Sequence, residues 1–329
     1  YPFGFVTWGA FIGVCSGMNT EGLTVTINAA KSSIPMGAAT PVSLLAREIL
    51  QYAKNIEEAI AIAHSRSMFV SESFLIGSAK DHKTIVIEKT PDTLAIYASD
   101  TNNIICTNHY QSELFSTQKL NVEQKNNSAS VYRQQRISEL LQSSSPLNVA
   151  KMAAILRDVN GLGNQDIGMG NEKAINQLIA HHSIIFMPDS LQMWVSTTPW
   201  QLGTYVCYDL NKIFQNTTLD IKQEIATVDK NIPADSAMIQ SERFKDFVAF
   251  RALKMEWIYN HTIKNPELLV QYNPQYYDAY KLAGDIYLAQ NKREEAISMY
   301  QKGVTMEIAT EDERNAIIKK IKDIKSSKK

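Results

Sequence analysis

The sequence predicts an α+β fold: antiparallel sheets covered by helices, then a helical C-terminal region. Three observations predict it. Strand runs and helix pairs follow one another as strands, two helices, strands, two helices, strands, rather than in strict βαβ alternation. The strand-like segments show period two, as where Ile85 and Ile87 are set against Thr84, Val86 and Glu88. From Ser241 onward the pattern is helical almost throughout.

The elements follow in chain order. Residues 3–28 read as two or three strands. Within them Ile12-Gly-Val-Cys-Ser-Gly-Met-Asn-Thr-Glu-Gly-Leu-Thr-Val-Thr-Ile-Asn28 is an apolar run, a Gly/Asn turn and a second strand, which is a β-hairpin. Pro41 opens a helix over Val42–Ala53 with Thr40 as its N-cap, and Asn55 caps a second over Ile56–Ser65. Strands are expected at Ser73–Ala79, Thr84–Lys89, Leu94–Ala98 and Ile104–Thr107, with Asp81-His82-Lys83 and Thr90-Pro91-Asp92 as turns. Gln111–Ser128 is rich in Asn, Gln and Ser and reads as a surface loop. Helices at Ser130–Gln142 and Asn148–Asp158 precede strands at Ser183–Met187, Met193–Thr197 and Thr204–Tyr208.

After Phe214 the composition changes. Residues 215–240 are polar with little pattern and read as a linker, so the expected division is 1–214, 215–240 and 241–329. Residues 277–310 carry a tetratricopeptide-like pattern in Tyr280, Ala283, Gly284, Tyr287, Ala296, Tyr300 and Gly303. Small residues there let two antiparallel helices approach while aromatic rings fill the gap. Asn291 marks the turn between them, and Ile308 stands where a closing proline is usual. One such unit cannot bury its own face, so it is expected to pack on the helix Ser241–Tyr259. The Lys-rich tail Lys319–Lys329 reads as a frayed, solvated end.

Composition narrows the function classes. A hydrophobic fraction of 44% and a charged fraction of 20% suit a soluble folded chain. The net charge of −1 provides no field for nucleic acid or an anionic membrane surface. Apolar stretches are interrupted well short of the ~20 residues a membrane span requires. Cys15, Cys106 and Cys207 show no disulfide or metal spacing, and all three read as buried small hydrophobes, so neither a metal nor a cofactor is expected. The Gly-rich stretch 161–170 lacks the Lys-Ser/Thr pair and the preceding strand of a phosphate loop. No Gly-x-Ser-x-Gly elbow and no His-x-x-x-His pair occurs. The opening Tyr-Pro-Phe-Gly has neither an initiator Met nor a signal peptide, so the sequence reads as starting mid-protein and leaves localisation open.

Four segments hold residues able to carry chemistry. Cys106-Thr107-Asn108-His109-Tyr110 ends a strand, where a side-chain amide can donate to a developing oxyanion or simply satisfy a turn. Arg133 and Arg136 share a helical face, suited to a carboxylate or merely solvated. His181 and His182 point to opposite faces of a strand, which favours structural roles. Met193-Trp-Val-Ser-Thr-Thr-Pro-Trp200 is an aromatic pocket wall or core.

Several of these motifs occur in a telling order: Asn19-Thr-Glu-Gly-Leu with Asn28, then Thr107-Asn108-His109, then Ser130-x-x-Arg133-x-x-Arg136, then His182-Ser183-Ile-Ile-Phe-x-Pro with Met193-Trp-Val-Ser. Over residues 3–214 the chain resembles the acyl-coenzyme A:6-aminopenicillanate acyltransferase family, related to choloylglycine and penicillin V hydrolases in the N-terminal-nucleophile class. The resemblance implies an αββα sandwich and acyl transfer or hydrolysis at an amide or thioester. An N-terminal Cys exposed by autoproteolysis would be the nucleophile, with its own α-amine as base. It implies Asn108 as side-chain oxyanion donor, the backbone N–H near Asn28–Ala29 as second donor, and Arg133 (or Arg136) as support for the nucleophile end. Asn19, His109 and Trp200 are the expected binding residues. The family nucleophile and first strands are expected upstream of Tyr1, and Cys15, mid-chain and without a free α-amine, does not replace it. The expected partner is a small acyl-amide or acyl-thioester. A non-catalytic interaction module, binding a protein through the helical region, is the alternative.

Overall fold

The computed structural model describes residues 1–31, 37–215 and 224–326. The part of the expected linker at 216–223 and the last three residues of the Lys-rich tail lie outside them. Packing divides the chain otherwise than at 1–214, 215–240 and 241–329. One unit gathers Tyr1–Lys125, His182–Thr197 and Thr204–Ile232; the other gathers Asn126–His181, Thr198–Gly203 and Pro233–Lys329.

The first unit holds two antiparallel sheets. Strands β1 (Phe3–Val6), β2 (Ser16–Asn19), β3 (Leu23–Ala29), β4 (Glu72–Ser78), β5 (Lys83–Lys89) and β6 (Leu94–Tyr97) pair in sequence order, so the first sheet is a meander. Helices α1 (Val42–Tyr52) and α2 (Ile56–Ser65) cover one face. Leu45, Ile49 and Leu50 of α1 pack there on Leu23, Val25, Phe74, Ile76, Ile85 and Ile87. These strand residues alternate in sequence, which is why only one face of the sheet joins this core. Later in the chain, β7 (Ile184–Met187), β8 (Gln192–Ser196) and β9 (Tyr205–Asp209) form the second sheet. Met18, on the face of the first sheet turned away from α1, packs with Met193 of β8 and with Leu210. The succession within this unit is therefore helices, sheet, sheet.

Local chemistry explains the matches and the departures. Asn55 accepts from the Glu58 amide and caps α2 as expected. Thr40 does not cap α1: Pro41 holds that place, and the Thr40 backbone is engaged in a bridge with the Ser67–Phe69 segment. Ile104–Thr107 is not a strand, and Gln111 Nε2 takes the Ile105 carbonyl instead of a neighbouring strand. The expected loop at 111–128 contains α3 (Glu113–Ser116) and α4 (Lys119–Asn126). Buried Asn121 stands in for missing backbone partners there, donating to the Tyr110 and Phe115 carbonyls. The end of the polar linker pairs with β9 through Ala226 and Ile232.

In the second unit lie α5 (Ser130–Ser143) and α6 (Val149–Leu156). After α7 (Leu210–Gln215) of the first unit, the second resumes with α8 (Ser236–Gln240), α9 (Glu242–Asn260), α10 (Glu267–Tyr272), α11 (Tyr277–Ala289), α12 (Arg293–Gly303) and α13 (Glu311–Ser326). One core runs from Val159, Met169 and Leu178 through Phe244, Phe247 and Phe250 of α9 to Tyr277, Ala283, Tyr300 and Ile317. Helices α11 and α12 form a hairpin. A Cβ on Gly284 would meet the Tyr300 ring at 2.5 Å, so the close approach excludes any larger residue. Asn291 turns the chain between them at φ +61°. The expected frayed tail is mostly helical: α13 runs to Ser326 and buries Ile324.

The Gly-rich stretch 161–170 also finds its reason here. Gly168 has φ +81°, and a Cβ on it would lie 2.5 Å from the Tyr276 backbone. Its glycine serves a close backbone approach, not an anion.

Candidate active site

The face of the first sheet turned away from α1 and α2 is polar toward the C-terminal end of β3. Register sets Asn28 opposite Ser73, and Ser73 opposite Glu88, so the three form one row across β3, β4 and β5. Ser16 of β2 pairs with Thr26 on the same face, and its hydroxyl lies 3.4 Å from His182 Nε2.

Glu88 is fully buried, and its carboxylate is satisfied by the chain that follows the Cys106–Tyr110 motif. It accepts from the Gln111 amide, the Ser112 amide (3.1 Å) and the Ser112 hydroxyl (2.6 Å). Charge-assisted bonds of this kind let a carboxylate sit inside a sheet. The Asn121 carbonyl oxygen takes the Tyr110 amide at 2.8 Å, and the Tyr110 hydroxyl donates to the Lys89 carbonyl at 2.6 Å. Tyr110 and Ser112 are thereby pinned to β5. Just ahead of them, half-buried Asn108 donates from Nδ2 to the Ala29 carbonyl at 3.1 Å, at the end of β3. The sheet thus brings Asn108 and the Asn28–Ala29 backbone together.

The other expected residues are placed differently. Asn19 is wholly buried and spends its amide on structure: Nδ2 donates to the Leu50 and Ala53 carbonyls at the end of α1, and Oδ1 accepts from the Glu21 and Leu23 amides. These bonds shape the β2–β3 turn. His109 is 4% exposed and pairs its Nδ1 with the Thr107 hydroxyl at 3.2 Å, so its ring is turned into the unit. Trp200, in the second unit, is packed on Phe244 and Phe247 with the Arg251 guanidinium 4.6 Å from its ring centre. It is partly buried and packs against the core of that unit.

The two arginines separate clearly within the second unit. Arg136 is 3% exposed and bonds Asp158 bidentately at 2.9 Å from both Nε and Nη2, with Asn164 and Glu139 beside it. That set occupies its guanidinium in a structural ion pair. Arg133 donates from Nη1 to the Glu172 carbonyl at 2.8 Å; burial lowers its pKa, and the Glu172 charge opposes that shift.

The three thiols are poor nucleophiles. Burial pushes Cys106 up to about 12, with Glu88 adding to the shift, and Cys207 up to about 11. Cys15 is also raised by burial. Sequence reasoning missed Glu88, Asn121 and Glu172. Glu88 was visible only as the polar member of an alternating strand, and the other two lie in stretches without periodicity. Among the described residues, no group of three or more His, Cys, Asp or Glu is placed to hold a metal ion, and no helix is long and apolar enough to cross a membrane.

Fold and site define the class first: a mixed α/β protein with two antiparallel sheets and an amide-bearing loop held at a strand end. The family model described as "Acyl-coenzyme A:6-aminopenicillanic acid acyl-transferase" matches residues 4–194, more than half of the chain, and the chain belongs to that family. Among solved structures it is similar to an arginine-to-leucine variant of conjugated bile acid hydrolase from Clostridium perfringens, at 11% identity and a TM-score of 0.35. A cysteine-to-alanine mutant of the same hydrolase gives 13% identity and a TM-score of 0.35; each likeness covers 67% of this chain and 76% of the other. No curated protein matches the chain.

Proposed function

We propose that this chain is the acyl-handling part of an enzyme that hydrolyses or transfers an acyl group held as an amide or thioester. The observation that carries the reading is the Asn108 amide at the Ala29 carbonyl, beside the strand end that the family resemblance assigns to the second oxyanion donor. In this reading a thiolate attacks the acyl carbonyl, and the two donors hold the oxyanion as it forms. The amine or thiol leaves with a proton returned by the α-amine of the nucleophile. Water or an acceptor amine then takes the acyl group from the resulting thioester.

The thiolate is an N-terminal Cys other than Cys15, Cys106 and Cys207. The raised pKa values of those three support this, because a thiol held protonated does not attack. Autoproteolysis would expose it, as in the family. The full fold is then an αββα sandwich, and lipoamino acids, peptides and other acylated amines are all candidate substrates. Helices α11 and α12 form a tetratricopeptide-like unit in this reading, supported by the Gly284–Tyr300 approach. A free-standing interaction module is disfavoured, because α9–α13 share one core with Val159, Met169 and Leu178.

The test is turnover of a panel of acyl-amides and acyl-thioesters by the full-length protein and by residues 1–329. The expected result is turnover by the full-length protein that falls with Asn108→Ala and is untouched by Cys15→Ala. Robust turnover by residues 1–329, abolished by Cys15→Ala, would overturn the choice of nucleophile.

A further inference from the structure

We propose that the C-terminal helical region is a clamp that positions Arg133, acting through Glu172, Tyr276 and Tyr277. The inference rests on the reading of Arg133 as the arginine that supports the nucleophile end. Every contact it uses lies within the second unit.

Arg133 donates to the Glu172 carbonyl at 2.8 Å, so the placement of the 168–173 segment helps to place the guanidinium. That segment has no helix or strand of its own. It is held instead at successive points by residues more than a hundred positions later. Asn273 Nδ2 donates to the Met169 carbonyl at 2.8 Å. Gly168 lies against the Tyr276 backbone so closely that no Cβ fits. Asn171 Nδ2 donates to the Glu307 carbonyl at 2.9 Å, and Lys173 pairs with the Glu307 carboxylate.

Two phenols converge on Glu172 itself: Tyr276 and Tyr277 each donate to Oε1 at 3.3 Å. The other oxygen, Oε2, is buried without a hydrogen-bond partner. A purely structural carboxylate in such a place would be costly. Burial raises the Glu172 carboxyl above the ordinary carboxylate range, and in its ionised form its charge offsets the burial of the Arg133 guanidinium. Glu172 therefore serves Arg133 twice, through its carbonyl and through its charge, and the start of α11 fixes both. Glu172, Tyr276 and Tyr277 are positioning residues; none is assigned contact with substrate.

The experiment uses full-length protein carrying labelled arginine. It compares wild type with Glu172→Gln, which removes the charge at constant size, and with the paired change Tyr276→Phe and Tyr277→Phe. Three readouts are taken: the Arg133 guanidinium signals by NMR, thermal unfolding, and kcat and KM on the acyl-amide panel. The expected result is a shift and faster hydrogen exchange of the Arg133 signals in both variants, with kcat lowered about ten- to a hundredfold and KM held within about twofold. A merely structural role would lower the unfolding temperature and leave the Arg133 signals and kcat of the folded protein alone, and that outcome overturns the clamp. If Glu172→Gln does not fold, the paired phenylalanine variant decides alone. Shifted Arg133 signals in a protein whose wild type turns over no acyl substrate would uphold the clamp and overturn the functional reading beneath it.

Discussion

Asn108 and Ala29 lie 79 residues apart in sequence and meet through one hydrogen bond of 3.1 Å, from the side-chain amide to the carbonyl at the end of β3. The fold reaches that meeting with buried supports, Asn121 and Glu88, which hold Tyr110 and Ser112 just after Asn108. Asn108 itself is half-buried, so its removal disturbs little packing. Asn108→Ala is expected to lower kcat by a factor on the order of a hundred to a thousand, the usual effect of losing one oxyanion donor. Stability should change by no more than about 1 kcal/mol, the worth of a single hydrogen bond. Steady-state kinetics beside a urea titration separate the two effects, and an Asn108→Ala protein with wild-type kcat would refute the assignment.

The thiols give an independent check that needs no substrate. With Cys106 near 12 and Cys207 near 11, the reactive thiolate of either is a minute fraction at pH 8, on the order of one in a thousand or fewer. Cys15 is buried and raised as well. A disulfide reagent at pH 8 should therefore modify none of the three rapidly in the native protein and all three after unfolding. Rapid native labelling at Cys15, mapped by mass spectrometry, would reopen its candidacy as nucleophile.

Legibility from sequence followed the range of the forces involved. The β2–β3 hairpin and the α2 cap at Asn55 depend on neighbours within a few residues, and their pattern was readable. Helices α3 and α4 were hidden because their order comes from buried Asn121, which composition cannot distinguish from a loop asparagine. The same blindness affected the site. Asn19 and Asn108 are the same residue type in similar settings, yet one amide is consumed by the α1 carbonyls and the other sits half-exposed at a strand end. The division into units was unreadable for another reason. Residues 126–181 join 233–329 through contacts such as Gly168 on Tyr276, and a linear reading sees only a glycine-rich stretch.

Arg133 and Arg136 share a helix, and their different fates yield a paired prediction. Arg136 and Asp158 form a bidentate ion pair with Arg136 almost fully enclosed. Removing one partner strands the other, so Arg136→Ala should destabilise by roughly 3–5 kcal/mol. Arg133→Lys keeps the charge but loses the planar fork, and should lower kcat with a much smaller effect on unfolding. Denaturant midpoints of the two variants give the contrast. Equal stability losses would place both arginines in structural roles.

Glu72 supplies the pH dependence. It begins β4 opposite Ala29 and Lys89, is 8% exposed, and burial alone pushes its carboxyl up to about 7 from the ordinary 4.5. A native-state pKa above the unfolded one means that, between those two values, the folded chain keeps a proton the unfolded chain has released. Stability is then greatest below about 4.5 as far as this group is concerned. It falls as pH rises through that window, and it levels off above about 7. Glu72→Gln removes the titration and leaves a neutral group of the same size. The variant should match wild type near pH 4.5 and exceed it at pH 8 by on the order of 2–3 kcal/mol, with a flatter profile between. Urea midpoints at pH 5, 6, 7 and 8 for the two proteins measure the difference directly. Parallel profiles would show that the Glu72 carboxylate is ionised inside the sheet at no cost, which its burial beside β3 and β5 argues against.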